Sequence, residues 1–577
     1  MPRVTEPFPI FYDDDGTPLQ NGMIYIGEFG LPAVANPIQA YWDEDLTVTA
    51  TQPIRTLNGR PAYQGAPANI YIAESTFSIA VQNRYGTPVV ADDEVIAEMQ
   101  IADMGAFNVK DFGAAGDNSN DDTAAIDAAI AAAKVKGGVV FFPPGIYRHT
   151  GISSTDLRFV SIEGVARASF GSAGNVGVRL VCTSATANHV NLTNPHGVQI
   201  KNIQFETLSS LTPTAGAVIQ MTATNGGSAS CSVVDCRIEK HYNGIVIDGV
   251  SNSELRNIQV RNGVGTFAVK LVGSNKRLDQ VRLKGIITDT EVTGGSATQN
   301  GFEILTDVHT VFIEDCSALQ ARVGYVLDGA IPPEFVYLVR AEAENCNDEG
   351  FLIEAADKLR MLEVYSSVNN GSGIVFGSGF DNTAYLLAPD ARGNEFHGIL
   401  IQGTGAVEIV APRIGGNSEA SSGTYHGITI AADVNNFSVI GGKVGGDINL
   451  SGTGGQGRGI SIANGTSDDY RIIGVDLQGN VSAGLVDGGS GTTKAIESNL
   501  GFNNASAVAQ TVGASPWTYT NVSGAKVSLT ITGGTVSSVT VSGDQVAAAT
   551  NTQVIVPVGG SAVITYSGLP VVKAQIL

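Results

Sequence analysis

Asp328 and Glu354 each stand four residues after a glycine, in the short stretches GYVLD and GFLIE that begin at Gly324 and Gly350. Glycosidic hydrolysis typically needs two carboxyl groups, one acid and one base or nucleophile, and matching places of a repeated unit can bring two together. If the units stack in register, like charges fall side by side and one pKa rises, as a general acid needs. The bland alternative is a pair of solvated surface acids. Asp248 holds the same place further up, and Glu303 points outward two residues earlier in the preceding unit.

A second set follows. Glu342 and Glu344 lie in VRAEAENCNDEG, Glu363 and Tyr365 in RMLEVYSSVNNGSG, and Asp390, Arg392, Glu395 and His397 in APDARGNEFHG. Arg413 and Lys443 occupy positions like Asp390 in the next units. Acids followed by bases along one ribbon suit a saccharide groove, with Tyr365 stacking on a sugar ring. The same ribbon reads equally as an ion-paired surface of small energetic value. The expected acid and base are Glu354 with Asp328, then Glu363 with Asp390. Glu303, Glu342, Tyr365, Arg392, His397 and Arg413 are the expected substrate contacts. Proton abstraction beside a uronate would instead use Tyr365, His397, Arg413 or Lys443.

Other chemistries fit less well. His397 and His426 precede equivalent glycines and His309 is isolated, so no third metal ligand is evident, and neither metal nor cofactor is expected. Asp235 and Asp315 read as turn residues, where Asp tolerates a left-handed backbone. A serine nucleophile elbow, a phosphate-binding glycine loop and a zinc signature are all missing. GDNSNDDT concentrates Asp117, Asp121 and Asp122, but a calcium loop counted from Asp117 would need Gly at the sixth place and Glu at the twelfth. Those places hold Asp122 and Ala128. Asp121 or Asp122 is expected to cap a helix through TAAIDAAIAAAK, with Ile126, Ile130 and Ala133 on one face and Gly137 as the stop.

What positions these residues is a repeat. A glycine followed by an alternating apolar strand recurs at Gly244, Gly301, Gly324, Gly350, Gly373, Gly398, Gly427 and Gly459, with a degenerate copy at Ala268. From Gly301 onward the gaps are 23, 26, 23, 25, 29 and 32 residues, too short for a βαβ crossover but enough for three short strands. Period-2 alternation sends the first and third residues after each glycine to one side, from Ile245 and Ile247 to Ile428 and Ile430. Stacked, they form the apolar column of a parallel β-helix.

Composition agrees: 71 glycines and 15% charged residues in a 577-residue chain suit a turn-rich all-β protein of several parts. A formal charge of −22 disfavours nucleic acid and anionic membrane as partners. No apolar run reaches membrane-spanning length, and no signal peptide is read at the start. Five cysteines without zinc-like spacing are expected to be buried thiols folded in a reducing cytoplasm. Residues 1–100 read as a separate β domain, and 101–107 as a neck within the polar, helix-like segment ADDEVIAEMQIADMG. Residues 108–505 read as the β-helix with its capping helix, and 506–577 as a β-sandwich capping the open end.

VKDFGAAGDNSNDDTAAIDAAIAAA followed by GGVVFFPPGIYR resembles the N-terminal signature of the pectate-lyase-like right-handed β-helix superfamily. NGMIYIG, NPIQAYWDEDLT, QPIRTLNGRPAYQG and SIAVQNRYG resemble the head-binding domain of short-tailed phage tailspikes. Together they imply a homotrimeric tailspike that binds the virion's tail or head-to-tail adaptor proteins through residues 1–100. It would be assembled in the host cytoplasm, carried on the virion, and act at the host surface on an O-antigen or capsular polysaccharide. Hydrolysis, lyase chemistry and non-catalytic glycan binding all remain compatible with the resemblance.

Overall fold

The structure, a computed structural model, describes residues 10–13, 16–43, 45–73, 76–96, 105–165, 177–224, 227–290, 297–446, 455–502 and 507–576. The chain divides into two compact units, Met1–Met104 and Gly105–Leu577. In the first, Met23–Gly27 lies between Ile54–Leu57 and Thr76–Gln82 in an antiparallel sheet, over a core of Leu19, Ile24, Ile26, Ile54 and Val81. Gln52 donates to the carbonyls of Ile26 and Ile38, joining that sheet to its neighbours. The polar segment after it is not helical where it is described. Pro88–Ile96 is a strand paired antiparallel with Thr76–Gln82; residues 97–104 lie outside the described residues.

The second unit is all-β around a parallel β-helix of three long sheets. Sheet A holds 15 strands, from Ala106–Asn108 to Lys494–Glu497; sheets B and C hold 13 each. Each rung runs A, B, C, and the rungs stack at the roughly 4.8 Å of strand pairing. The predicted inward columns are in place: Ile245, Ile247, Phe302, Ile304, Tyr325, Leu327, Phe351 and Ile353 are all fully buried in one continuous core. Phe302, Tyr325 and Phe351 stack face to face at 4.7 Å from rung to rung.

The recurrent glycine has a steric cause. A Cβ on Gly301, Gly324, Gly350, Gly373, Gly398 or Gly427 would come within 2.4–2.7 Å of the carbonyl oxygen of the next rung's glycine. The turn from B into C therefore tolerates no side chain. Beside it a buried asparagine ladder replaces lost backbone pairing. Asn369 N donates to Asn394 Oδ1 at 3.1 Å, and Asn394 N to Asn417 Oδ1 at 3.1 Å. At the other corner, between A and B, one left-handed residue per rung makes the bend. Asp235, Asn257, Asp315, Arg340 and Glu363 all sit near φ +50°, so the turn reading of Asp235 and Asp315 holds.

The helix Thr123–Lys136 packs Ile126, Ile130 and Ala133 into the first rungs and stops at Gly137. Its capping is divided between the two acids. Asp121 Oδ1 accepts from the Thr123 amide and hydroxyl, whereas Asp122 is buried and accepts from the Ala115 and Gly116 amides. Asp122 is the N-cap residue by position but makes no side-chain cap bond; it fastens the preceding loop instead. All five cysteines are buried and none forms a disulfide. After the last rung, residues 508–576 form two four-stranded antiparallel sheets enclosing Val527, Leu529, Ile531, Val539, Val556 and Ile564. Ile496 of the last sheet A strand donates to the Gly524 carbonyl at 2.7 Å, tying the two parts together.

Candidate active site

The ribbon of acids and bases lies on sheet B. Register places Ser317, Glu342, Tyr365, Asp390, Arg413 and Lys443 in one outward column, and Glu344, Ser367 and Arg392 in the next. The column is internally satisfied. Glu342 accepts from Ser317 Oγ at 2.8 Å, Arg392 forks onto Asp390, and Arg413 lies 3.8 Å from the same carboxylate. Arg392 also covers the Tyr365 ring at 5.7 Å, occupying the face a sugar would need. Burial, then the Glu342 charge, raises the Glu344 carboxyl above its ordinary value. Glu363 does not join Asp390. It is exposed on the A–B corner, in line with Arg340, while Asp390 sits one rung on within a strand.

Sheet C and the B–C edge hold the second set. Leu327 pairs with Ile353, so Asp328 and Glu354 follow equivalent strand ends on adjacent rungs. Their carboxylates face different donors. Asp328 is exposed and accepts from its own neighbour Gly329 at 2.7 Å; Glu354 is half-buried and accepts from Gly379 at 3.3 Å, one rung further on. Gly377 makes room for it, since a Cβ there would lie 2.3 Å from the Glu354 carboxyl. Asp248, at the same place further up, is not outward: it is buried and accepts from the Ser274 amide at 2.8 Å. Loop closure claims it.

Glu303 is outward on sheet C with Lys270 at 3.7 Å and Asn300 Nδ2 at 2.9 Å. Burial pushes its carboxyl up, against the pull of Asn300, Lys270 and Arg322. The residue immediately before the repeat glycine forms its own column, Glu349, Ser372, His397, His426 and Arg458. Glu349 was missed by sequence reasoning. Burial lifts its carboxyl above the ordinary value, the charges of Asp348 and Glu354 add to that, and Arg322 opposes it. His397 Nδ1 accepts from His426 N at 3.1 Å and from Thr429 Oγ1 at 2.8 Å, so its proton is on Nε2. Burial beside His426 lowers it to about 4. His309 is not isolated: it is bonded to Glu334, near Asp279, under the Phe335 ring. Among the described residues no group of three or more His, Cys, Asp or Glu side chains is placed to hold a metal ion, and no helix is long and apolar enough to cross a membrane.

Residues 106–325 match the family described as rhamnogalacturonase A/epimerase, pectate lyase-like. A curated relative, mannuronan C5-epimerase AlgE3 of Azotobacter vinelandii, is 63% identical over 46 residues, which is 8% of this chain and 2% of that protein. The chain thus spans only a small part of such relatives. Among solved structures, tailspike protein 3 of bacteriophage CBA120 aligns at 12% identity and TM-score 0.44 over 83% of this chain and 78% of that one. The catalytic unit of an α-1,3-glucanase from Streptomyces thermodiastaticus aligns at 15% identity and TM-score 0.43, over 84% and 88%. These two alignments concern the fold alone.

Proposed function

We propose that this protein is a phage tailspike that depolymerises a bacterial surface polysaccharide by endoglycosidic hydrolysis. Glu349 is the general acid, and Glu354, with Asp328 on the adjacent rung, is the base or nucleophile. The observation that carries it is that Glu349 and Glu354 flank the strand Phe351–Ile353, Glu349 directly before Gly350, with the Glu349 carboxyl raised by burial and by the neighbouring acids. Burial, then the charges of Asp348 and Glu354, keep Glu349 protonated to higher pH, and both carboxyls are half-buried, within reach of a bound chain. Glu349 gives its proton to the glycosidic oxygen, which leaves with the bonding pair. The Glu354 carboxylate either takes a proton from the attacking water or attacks the sugar carbon itself. Water is the only co-reactant. Replacing Glu349 by Gln should abolish the release of new reducing ends from the polymer while leaving the fold intact.

A second reading has its own support. Lys270, Arg322 and Asn300 surround Glu303, a set that neutralises a uronate carboxylate and so acidifies the adjacent C–H. The local likeness to a mannuronan epimerase points the same way. A lyase leaves an unsaturated sugar that absorbs ultraviolet light, and a hydrolase does not.

Attachment to the virion through residues 1–100, location on the phage tail and assembly as a homotrimer belong to the same proposal. Two outward apolar ladders support the trimer. Val339, Leu362, Leu387, Val410, Ile440 and Ile473 follow one another along sheet A, and Val326, Leu352, Val375 and Leu400 along sheet C. Faces on different sheets can mate head to tail and close around a three-fold axis. Light scattering of the full chain should give three times its 59.7 kDa mass; a monomer mass at micromolar concentration overturns the trimer.

A further inference from the structure

The outward face of sheet A carries none of the carboxyls assigned above, yet it holds a cleft of about 950 Å³. Its floor is one column of side chains in register: Arg360, Tyr385, Glu408, Ser438 and Arg471. The column continues backward through Tyr337 and Phe312, which stack at 4.7 Å with ring planes 10° apart. Arg360 and Arg471 are four rungs apart, about 19 Å at the spacing of paired strands. The cleft occupies the part of sheet A that each strand enters first, away from the apolar ladder near the A–B corner.

Two of its four cations, Lys358 and Lys494, are paired with Glu334 and Asp357 and with Asp487, but its two arginines differ from those of sheet B. There Arg237 is paired with Glu239, Arg261 with Asp289 and Arg392 with Asp390. In the cleft, Arg360, Arg471 and Glu408 have no hydrogen-bond or ion-pair partner among the described residues. In a chain of formal charge −22, carboxylates are the common charge and arginines the scarce one. Two arginines left without a partner in one column are donors for a planar anion supplied from outside. Tyr385 stands between Arg360 and Glu408 and offers a flat apolar ring of the kind that packs on a sugar face. Glu408 would repel an anion at its own rung and accepts hydroxyl hydrogens there instead.

We propose that this cleft is a second, non-catalytic polysaccharide site, for an acidic heteropolysaccharide lying along the helix axis. Anionic groups of the ligand sit on Arg360 and Arg471, a sugar face lies on Tyr385, and an uncharged sugar donates hydroxyls to Glu408. Glu408 thereby selects against chains that carry an anion on every residue. The site stands apart from the cleavage reading, because no residue of the cleft takes part in bond breaking.

Calorimetric titration of the full chain with three hexasaccharides tests it: alternating uronate and N-acetylhexosamine, uronate at every position, and a neutral N-acetylhexosamine chain. The alternating probe should bind at least about tenfold more tightly than the other two, the increment expected for one or two charge-assisted hydrogen bonds. Arg360→Gln with Arg471→Gln, and separately Tyr385→Ala, should each weaken it about tenfold or more. The cleft variants should leave the release of new reducing ends unchanged, so loss of cleavage and loss of this site are read independently. No binding of the alternating probe, equal binding of the neutral one, or unchanged affinity in the double arginine variant overturns the site. Equal or tighter binding of the fully charged probe overturns the role of Glu408.

Discussion

Glu349 and Glu354 bracket the strand Phe351–Ile353, and burial, then the charge of Asp348 and last that of Glu354, raise the Glu349 carboxyl. The like-charge coupling expected between rungs is thus found within one rung, through the edge where sheet B turns into sheet C. A carboxyl held protonated to higher pH beside a second carboxylate is the pairing that the proposed glycosidic cleavage uses.

The pH profile of cleavage follows from that coupling. Asp348 also raises the Glu349 carboxyl and pairs with Arg322 at 3.5 Å. Asp348→Asn removes a negative neighbour and releases Arg322, and both changes lower the Glu349 pKa. The basic limb of the rate profile should move to lower pH with activity retained at acid pH. An unmoved basic limb contradicts the assignment of Glu349 as acid.

Acid sensitivity has a different origin. His149, His189 and His241 are fully buried near the first rungs; burial lowers His149 and His241 to about 4 and His189 well below its ordinary 6.5. Above pH 6.5 the rings are neutral folded and unfolded, so they make stability neither rise nor fall with pH. As pH falls from about 6.5 towards 4 the unfolded chain takes up protons that the folded one refuses. Each of His149 and His241 then costs roughly 3 kcal/mol at the acid end. The melting temperature should fall steeply between pH 6.5 and 4, and a flat curve there contradicts the burial.

Asn394 accepts from both Asn369 N and Asn369 Nδ2 and donates to Ser366 O and Asn417 Oδ1. Asn394→Ala leaves the buried Asn369 amide without its acceptor and should destabilise the helix by about 1–3 kcal/mol, the cost of one orphaned polar group. Asn394→Asp is a poor rescue, since it cannot donate to Asn417. Denaturant unfolding of the two variants checks this.

Gly373→Ala places a Cβ 2.6 Å from the Gly398 carbonyl oxygen. The backbone has no room to give, so this variant should fail to accumulate as folded protein. At Gly441, where a Cβ meets nothing within 4 Å but φ is +63°, alanine should cost only about 1 kcal/mol of backbone strain. Comparable soluble yields of the two would contradict the steric account of the repeat.

The solenoid was legible because its two causes are written locally. Alternation fixes which residues enter the core, and the glycine is forced by the carbonyl of the next rung. The register of Asp390, Arg413 and Lys443 followed from the same spacing. The proposed acid was not legible, because Glu349 owes its raised carboxyl to burial first and then to Asp348 and Glu354, with Arg322 opposing them. One clue existed: His397 and His426 precede equivalent glycines, and extending that column backward reaches Ser372 and Glu349. Glu363 misled, because an acid one rung from Asp390 in sequence lies on a left-handed corner residue in space. The sheet A cleft was invisible for a simpler reason. Arg360, Tyr385, Glu408 and Arg471 each sit in a short strand that reads as an ordinary half-buried one.

The most direct test of the central claim is mass spectrometry of purified bacterial surface polysaccharides after incubation with the protein and with its Glu349→Gln variant. The account predicts that the native protein releases short oligosaccharides with new, saturated reducing ends, and that the variant leaves the polymer at full length. Polymer left intact by the native protein, or cut equally by the variant, would contradict it.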